Sequence, residues 1–172
     1  MHLWCLVLFA AIITGCQSAS RESVFTDLRG GACSEEIDKS DPNNTPFLLC
    51  PGAGGYRLRV RQVESGRQSV DVVSPTGQVL PLSIQNKVTR AMNSLGPQAE
   101  WRLLRGLPLA LILKVEVRED VFDPEKITRA LYAVAKLQPA EACITATAPQ
   151  QLQGQQAADL AAGMPCQNDL NP

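Results

Sequence analysis

The chain has 172 residues, 16 Lys and Arg against 17 Asp and Glu, and a net charge of −1. That length predicts one domain with a real core, and the near-neutral balance excludes a global field favouring nucleic acid or an anionic membrane. With 45% hydrophobic residues the composition is not that of a disordered chain.

The first element is an unbroken apolar run from Leu3 to Ile13. It is too short to span a bilayer and suits a signal-peptide core, although no Lys or Arg precedes it. The stretch Ile13-Thr14-Gly15-Cys16 that follows resembles the bacterial lipobox, an aliphatic residue and two small ones before cysteine. The resemblance implies cleavage before Cys16, a diacylglycerol on its sulfur and an acylated new amine. Gln17 rather than Asp then implies an outer-membrane lipoprotein facing the periplasm. Cleavage near Ser18-Ala19-Ser20 would instead give a soluble periplasmic or secreted protein. The expected organisation is a signal over residues 1–15, a tether over 16–32, a globular domain over 33–166 and a tail over 167–172.

Beyond Cys16 stand Cys33, Cys50, Cys143 and Cys166. An even count in an exported chain predicts disulfides, with three connectivities open. Nearness in sequence favours Cys33–Cys50 and Cys143–Cys166. No CxxC spacing occurs and the one histidine, His2, lies in the signal, so no metal site and no cofactor are expected.

Asp41-Pro42-Asn43-Asn44-Thr45-Pro46 reads as a loop between the first two cysteines. From Tyr56 to Val63 the chain alternates, with Tyr56, Leu58 and Val60 on one side and Arg57, Arg59 and Arg61 on the other, which predicts a half-buried strand. Glu64-Ser65-Gly66 is a turn and Arg67–Val73 the returning strand. Ser74-Pro75-Thr76-Gly77 has the pattern of a type I turn, before a short strand over Gln78–Leu82.

Ile84, Val88, Ala91, Met92 and Leu95 recur at helical spacing. With Ser83 as N-cap and Gly96-Pro97 as stop, they predict a helix over Ile84–Ser94. Gln98–Leu104 and Leu109–Val117 read as strands joined by a turn at Arg105-Gly106. Ile127–Leu137 is compatible with helix or strand; a hairpin with Pro139 in its turn is preferred. A second helix is expected over Gln150–Ala162, with Ala157, Leu160, Ala161 and Met164 on its buried side and Gly163 and Pro165 ending it.

Few chemistries fit these residues. Gly52-Ala53-Gly54-Gly55 leads into a strand, whereas a phosphate cradle opens a helix, so it reads as a bend. Without a histidine past the signal, and without GxSxG or SxxK spacing, the chain is read as non-enzymatic. Acids such as Glu119, Asp120 and Asp123 read as a solvated loop. Arg57, Arg59 and Arg61 are the candidate binding residues, with Arg67 nearby. Their stripe would suit a phosphate or carboxylate, and it lacks the interleaved aromatics of a nucleic-acid platform. The alternative is a sheet face neutralised by Glu64, Asp71 or Glu116.

Leu95-Gly96-Pro97-Gln98-Ala99-Glu100-Trp101-Arg102 completes a set of short motifs. With Cys50-Pro51-Gly52, Gly55-Tyr56, Leu107-Pro108-Leu109-Ala110, Gln156-Ala157-Ala158 and Cys166, it resembles a family of small exported alphaproteobacterial proteins. The resemblance implies export, paired cysteines and a compact sheet fold, and it carries no activity.

The expected architecture is α+β: a twisted antiparallel sheet of five to seven strands with two helices packed on one face, stapled by disulfides. The expected function is that of an envelope lipoprotein, held to the membrane by its lipid and binding an envelope protein or polysaccharide. An inhibitor of an envelope-attacking hydrolase such as lysozyme is the alternative, and a hydrolase working with acids alone the third. The sequence sets no oligomeric state.

Overall fold

A computed structural model describes residues 21–29, 31–64, 66–120 and 122–170. The predicted signal and Cys16 lie outside the described residues. In chain order the elements are β1 (Arg21–Asp27), β2 (Ser34–Ile37), β3 (Pro46–Pro51), β4 (Arg57–Glu64), β5 (Arg67–Val73), β6 (Val79–Pro81), α1 (Ile84–Lys87), β7 (Met92–Leu104), β8 (Leu107–Arg118), β9 (Arg129–Gln138), β10 (Glu141–Ala148) and α2 (Gln151–Leu160). All ten strands join one sheet in the order β10-β9-β8-β7-β5-β4-β3-β2. Residues Gln98–Leu104 of β7 pair with β1, and the last residues of β5 pair with β6.

The sheet is larger than the five to seven strands expected and is mixed. Strand β5 meets β7 in a parallel bridge at Arg67 and Asn93. The added strands are short or polar, so alternation was a weak signal for them. In β1 only Thr26 is buried, and β2 is exposed throughout. Strand β1 falls inside the expected tether, which therefore does not run to residue 32. The expected tail is also tied down through Leu170. Gln167 N–H donates to Ile144 O at 2.6 Å, and Leu170 N–H donates to Asn86 O at 2.6 Å.

The first expected helix shrinks to one turn. Ile84 and Val88 are buried as their spacing requires. By Met92, however, the chain is already strand. Gln68 holds the start of β7 from both sides of its own residue: Asn93 Nδ2 donates to Gln68 O at 2.9 Å and Leu95 N–H donates to Gln68 Oε1 at 2.8 Å. These bonds offset the helical preference of a short segment, which isolated chains barely express. Gly96-Pro97 is not a helix stop. It forms the irregular step of β7 against β8, between the Leu95–Val115 and Ala99–Leu113 pairs. A proline without an N–H is tolerated at such a break in the ladder.

The other expected hairpins form. Gly77 N–H donates to Ser74 O at 2.9 Å, closing the four-residue turn. Arg105 and Gly106 both take positive φ, 53° and 78°, matching a two-residue hairpin whose twist suits the strands. Pro139 lies in the β9–β10 turn, so Arg129–Gln138 is strand.

The two helices lie on opposite faces rather than one. Side chains of β4, β5 and the inner faces of β7–β10, among them Leu58, Val70, Trp101, Leu113, Ala135 and Ile144, form the main core with Ile84 and Val88. Ala110, Ile112 and Val134 point the other way and meet Ala158 and Ala161 of the α2 region. The run Ala110-Leu111-Ile112-Leu113 is continuous because both faces of β8 are covered. Leu160 and Met164, expected inside, are 66% and 44% exposed, whereas Gly154 and Ala158 are the buried pair of α2.

The disulfides are Cys33–Cys50 and Cys143–Cys166, closing separations of 17 and 23 residues. Loops of this size lower the entropy of the unfolded chain enough to stabilise by about 3 kcal/mol each. Cys143→Ser with Cys166→Ser is thus expected to lower the unfolding free energy by about 3 kcal/mol in urea titration.

Candidate functional site

The arginine stripe is where the sequence placed it, and Asp71 neutralises much of it. Register sets Arg59 opposite Asp71 and Arg61 opposite Ser69. The Asp71 side chain is only 4% exposed, and lies 3.1 Å from Arg61 Nε and 3.9 Å from Arg59 Nε. Arg59 also pairs with Asp38 and lies over the Phe47 ring, 4.4 Å from its centre. It is a fastening between β4, β5 and the β2–β3 loop. Hydrogen bonds from the Ser40 hydroxyl and from Arg59 hold the Asp38 carboxyl down, to about 2. A lowered folded pKa stabilises above the unfolded value of 3.8, and that contribution is lost as pH falls through about 2. Acid unfolding is therefore expected to shift to higher pH in Asp38→Asn, read by circular dichroism between pH about 4 and 2.

Arg61 differs. It also lines a recess of about 460 Å³, with Val63, Arg67, Ser69, Ser83, Gln85, Asn86 and Arg90. Strand β4 supplies Arg61, the start of β5 supplies Arg67, and the chain leaving α1 supplies Arg90. Ser83 takes a left-handed conformation, φ 53°, where the chain turns into α1. Gln85 is fixed by donating to Gln68 O at 3.0 Å, and Arg90 reaches Leu170 O at 2.6 Å. Three arginines, two serines, a glutamine and an asparagine line it, residue types whose donors recognise phosphate or carboxylate. The β4–β5 hairpin made Arg67 legible in the sequence. Arg90 carried no such signal, because the expected helix placed it mid-element.

Arg57 is exposed at the opposite end of β4 and does not line this recess. The glycine loop makes a single 3-10 turn over Ala53–Gly55 and then enters β4, as its lead into a strand predicts. Gly52 lies so close to the Trp101 indole that a Cβ there would meet Cζ2 at 2.3 Å.

A second polar cluster lies under α2. Glu100 and Arg102 are covered by the helix. Gln151, Gln155 and Asp159, four residues apart, point at the sheet. Gln155 Nε2 donates to Glu100 Oε1 at 2.8 Å, and Gln151 Nε2 donates to Oε2 at 2.9 Å. Ser23 Oγ donates to Oε1 at 2.6 Å, and Arg102 holds Asp159 at 2.9 Å. A cleft of about 210 Å³ lies alongside, walled by Phe25, Pro97, Ile112 and Tyr132. Both Glu100 oxygens already accept bonds, so this seam fastens α2. The stripe of α2 that faces Glu100 and Arg102 is thus polar, whereas the spacing predicts a buried side of Ala157, Leu160, Ala161 and Met164.

The acids Glu119 and Asp120 pair with Arg129 at 2.7 Å and Lys126 at 3.1 Å, bracing the β8–β9 loop. Glu141, Cys143 and Cys166 come close together, but the two sulfurs are bonded to each other and are not thiolate ligands. Among the described residues no helix is long and apolar enough to cross a membrane. No protein-family model, curated protein or solved structure matches the chain.

Proposed function

We propose that this protein is a non-enzymatic binding module of the bacterial cell envelope. It is exported, anchored through lipid on Cys16 to the periplasmic side of the outer membrane, and takes an anionic group of another envelope component into the Arg61–Arg67–Arg90 recess. The observation that carries the reading is that three arginines from three parts of the chain line one concavity. Two disulfides fit an oxidising compartment. The recess volume suits a phosphorylated sugar or a peptide terminus more than an extended polymer.

Inorganic phosphate and a phosphorylated glucosamine are the probes, titrated by calorimetry. Saturable binding that weakens with salt is expected. Arg90→Ala is the informative variant, because Arg61→Ala would also take from the buried Asp71 its nearer partner. A charged hydrogen bond contributes about 1.5–3 kcal/mol, so Arg90→Ala is expected to weaken binding about tenfold or more. Unsaturable binding, or affinity unchanged by Arg90→Ala, would remove the site. Inhibition of lysozyme at micromolar protein would favour the inhibitor reading instead.

A further inference from the structure

The short distance from Cys16 to the first strand has a geometric consequence. Strand β1 begins at Arg21, five residues after the cysteine of the lipobox-like motif. Five residues span at most about 18 Å when fully extended. A lipid on Cys16 would hold the start of β1 within that reach of the headgroups, with no room for a long tether.

The surface around that point is defined by register. Arg21 pairs with Leu104, and Leu104 pairs with Leu107 across the two-residue turn. Leu107 is 72% exposed at the tip, and Arg105 beside it is exposed. Arg21 binds Asp159 of α2 at 3.4 Å, and the next residue, Leu160, is 66% exposed. Gly54 lies against Pro108, which brings the bend preceding Arg57 to the same end. Two uncovered leucines and the exposed arginines Arg21, Arg57 and Arg105 thus gather where the chain enters the sheet. Apolar side chains among cations match a bilayer interface, in which leucine enters the acyl boundary and guanidinium groups meet phosphates.

We propose that this end of the sheet, centred on Leu107 and Leu160, rests on the phospholipid surface. The proposal deepens the lipid-anchor reading and depends on it. Strand β4 carries Arg57 at this end and Arg61 towards the other, so the anionic-ligand recess faces away from the bilayer into the compartment.

The test uses the full-length processed protein in vesicles of phosphatidylethanolamine and phosphatidylglycerol, part of the lipid brominated in its acyl chains. Tryptophan is placed at the tip, Leu107→Trp, or in the β8–β9 loop, Phe122→Trp. Phe122 is 96% exposed and follows the far end of β8, a strand of 12 residues, so the probes lie more than about 30 Å apart. Buried Trp101 gives the same background in both. Quenching several-fold stronger at position 107 than at 122 is expected. Equal quenching in protein that floats with the vesicles and carries acylated Cys16 would overturn the membrane face alone. Failure to float, with Cys16 unacylated by mass, would overturn the anchor and this face together.

Discussion

Replacing Trp101 by alanine will lower folding stability by about 4 kcal/mol, the range for truncating a fully buried aromatic ring. Trp101 is 0% exposed, its indole N–H donates to Thr26 Oγ1 at 2.9 Å, and Tyr56 packs at 6.2 Å between ring centres. Thr26 in turn donates to Pro51 O at 2.8 Å, so the indole joins β1, β3 and β7 at one point. The same ring explains Gly52. Its backbone, φ −131°, is one that any residue adopts, so the requirement for glycine is steric. A Cβ would lie 2.3 Å from Trp101 Cζ2 and 2.8 Å from Tyr56 O. Gly52→Ala alone is expected to cost about 3 kcal/mol by overpacking. In the Trp101→Ala background the share of that cost due to the ring should vanish, and the share due to the Tyr56 carbonyl should remain. A double-mutant cycle by urea denaturation measures the coupling, and additive effects would show that the ring does not set Gly52.

Removing Asp71 is the second large effect. Asp71→Ala leaves Arg59 and Arg61, neighbours on one face of β4, without the carboxylate they share, with Asp38 as the remaining carboxylate on Arg59. Breaking a buried pair by deleting one partner costs about 3–5 kcal/mol. The arginine side chains are 17% and 32% exposed, so solvent screens part of this and about 3 kcal/mol is expected. Asp71→Asn keeps shape and hydrogen-bond acceptance and is expected to fall between. If Asp71→Ala unfolds at the wild-type urea midpoint, the ion pairs do not fasten this face.

These two sites show what the sequence could and could not disclose. Alternation in Tyr56–Val63 and Arg67–Val73 was strong enough to place the arginines on one face and Asp71 among their partners. Period two reports which side a residue takes and is silent on what lies opposite. The recess needed Arg90, whose approach depends on the early end of α1, and the strand that follows is held by Gln68 through bonds spanning 25 and 27 residues. Strand β1 escaped notice because its buried contact is a single threonine to the Trp101 indole. The length and stops of α2 are legible in the sequence, and its inward face is not. Gln151, Gln155 and Asp159 turn inward because Glu100 and Arg102 wait beneath them, an arrangement a hydrophobicity pattern cannot register.

The central claim is that the Arg61–Arg67–Arg90 recess receives an anionic envelope component. In-cell photocrosslinking tests it most directly, with a photoreactive residue in place of Asn86, exposed at the rim, or Leu152, exposed on α2 on the other face of the sheet. A discrete adduct from position 86 that Arg90→Ala depletes is expected, and no such adduct from position 152. The same adducts from both positions, or an adduct at 86 indifferent to Arg90→Ala, would contradict it.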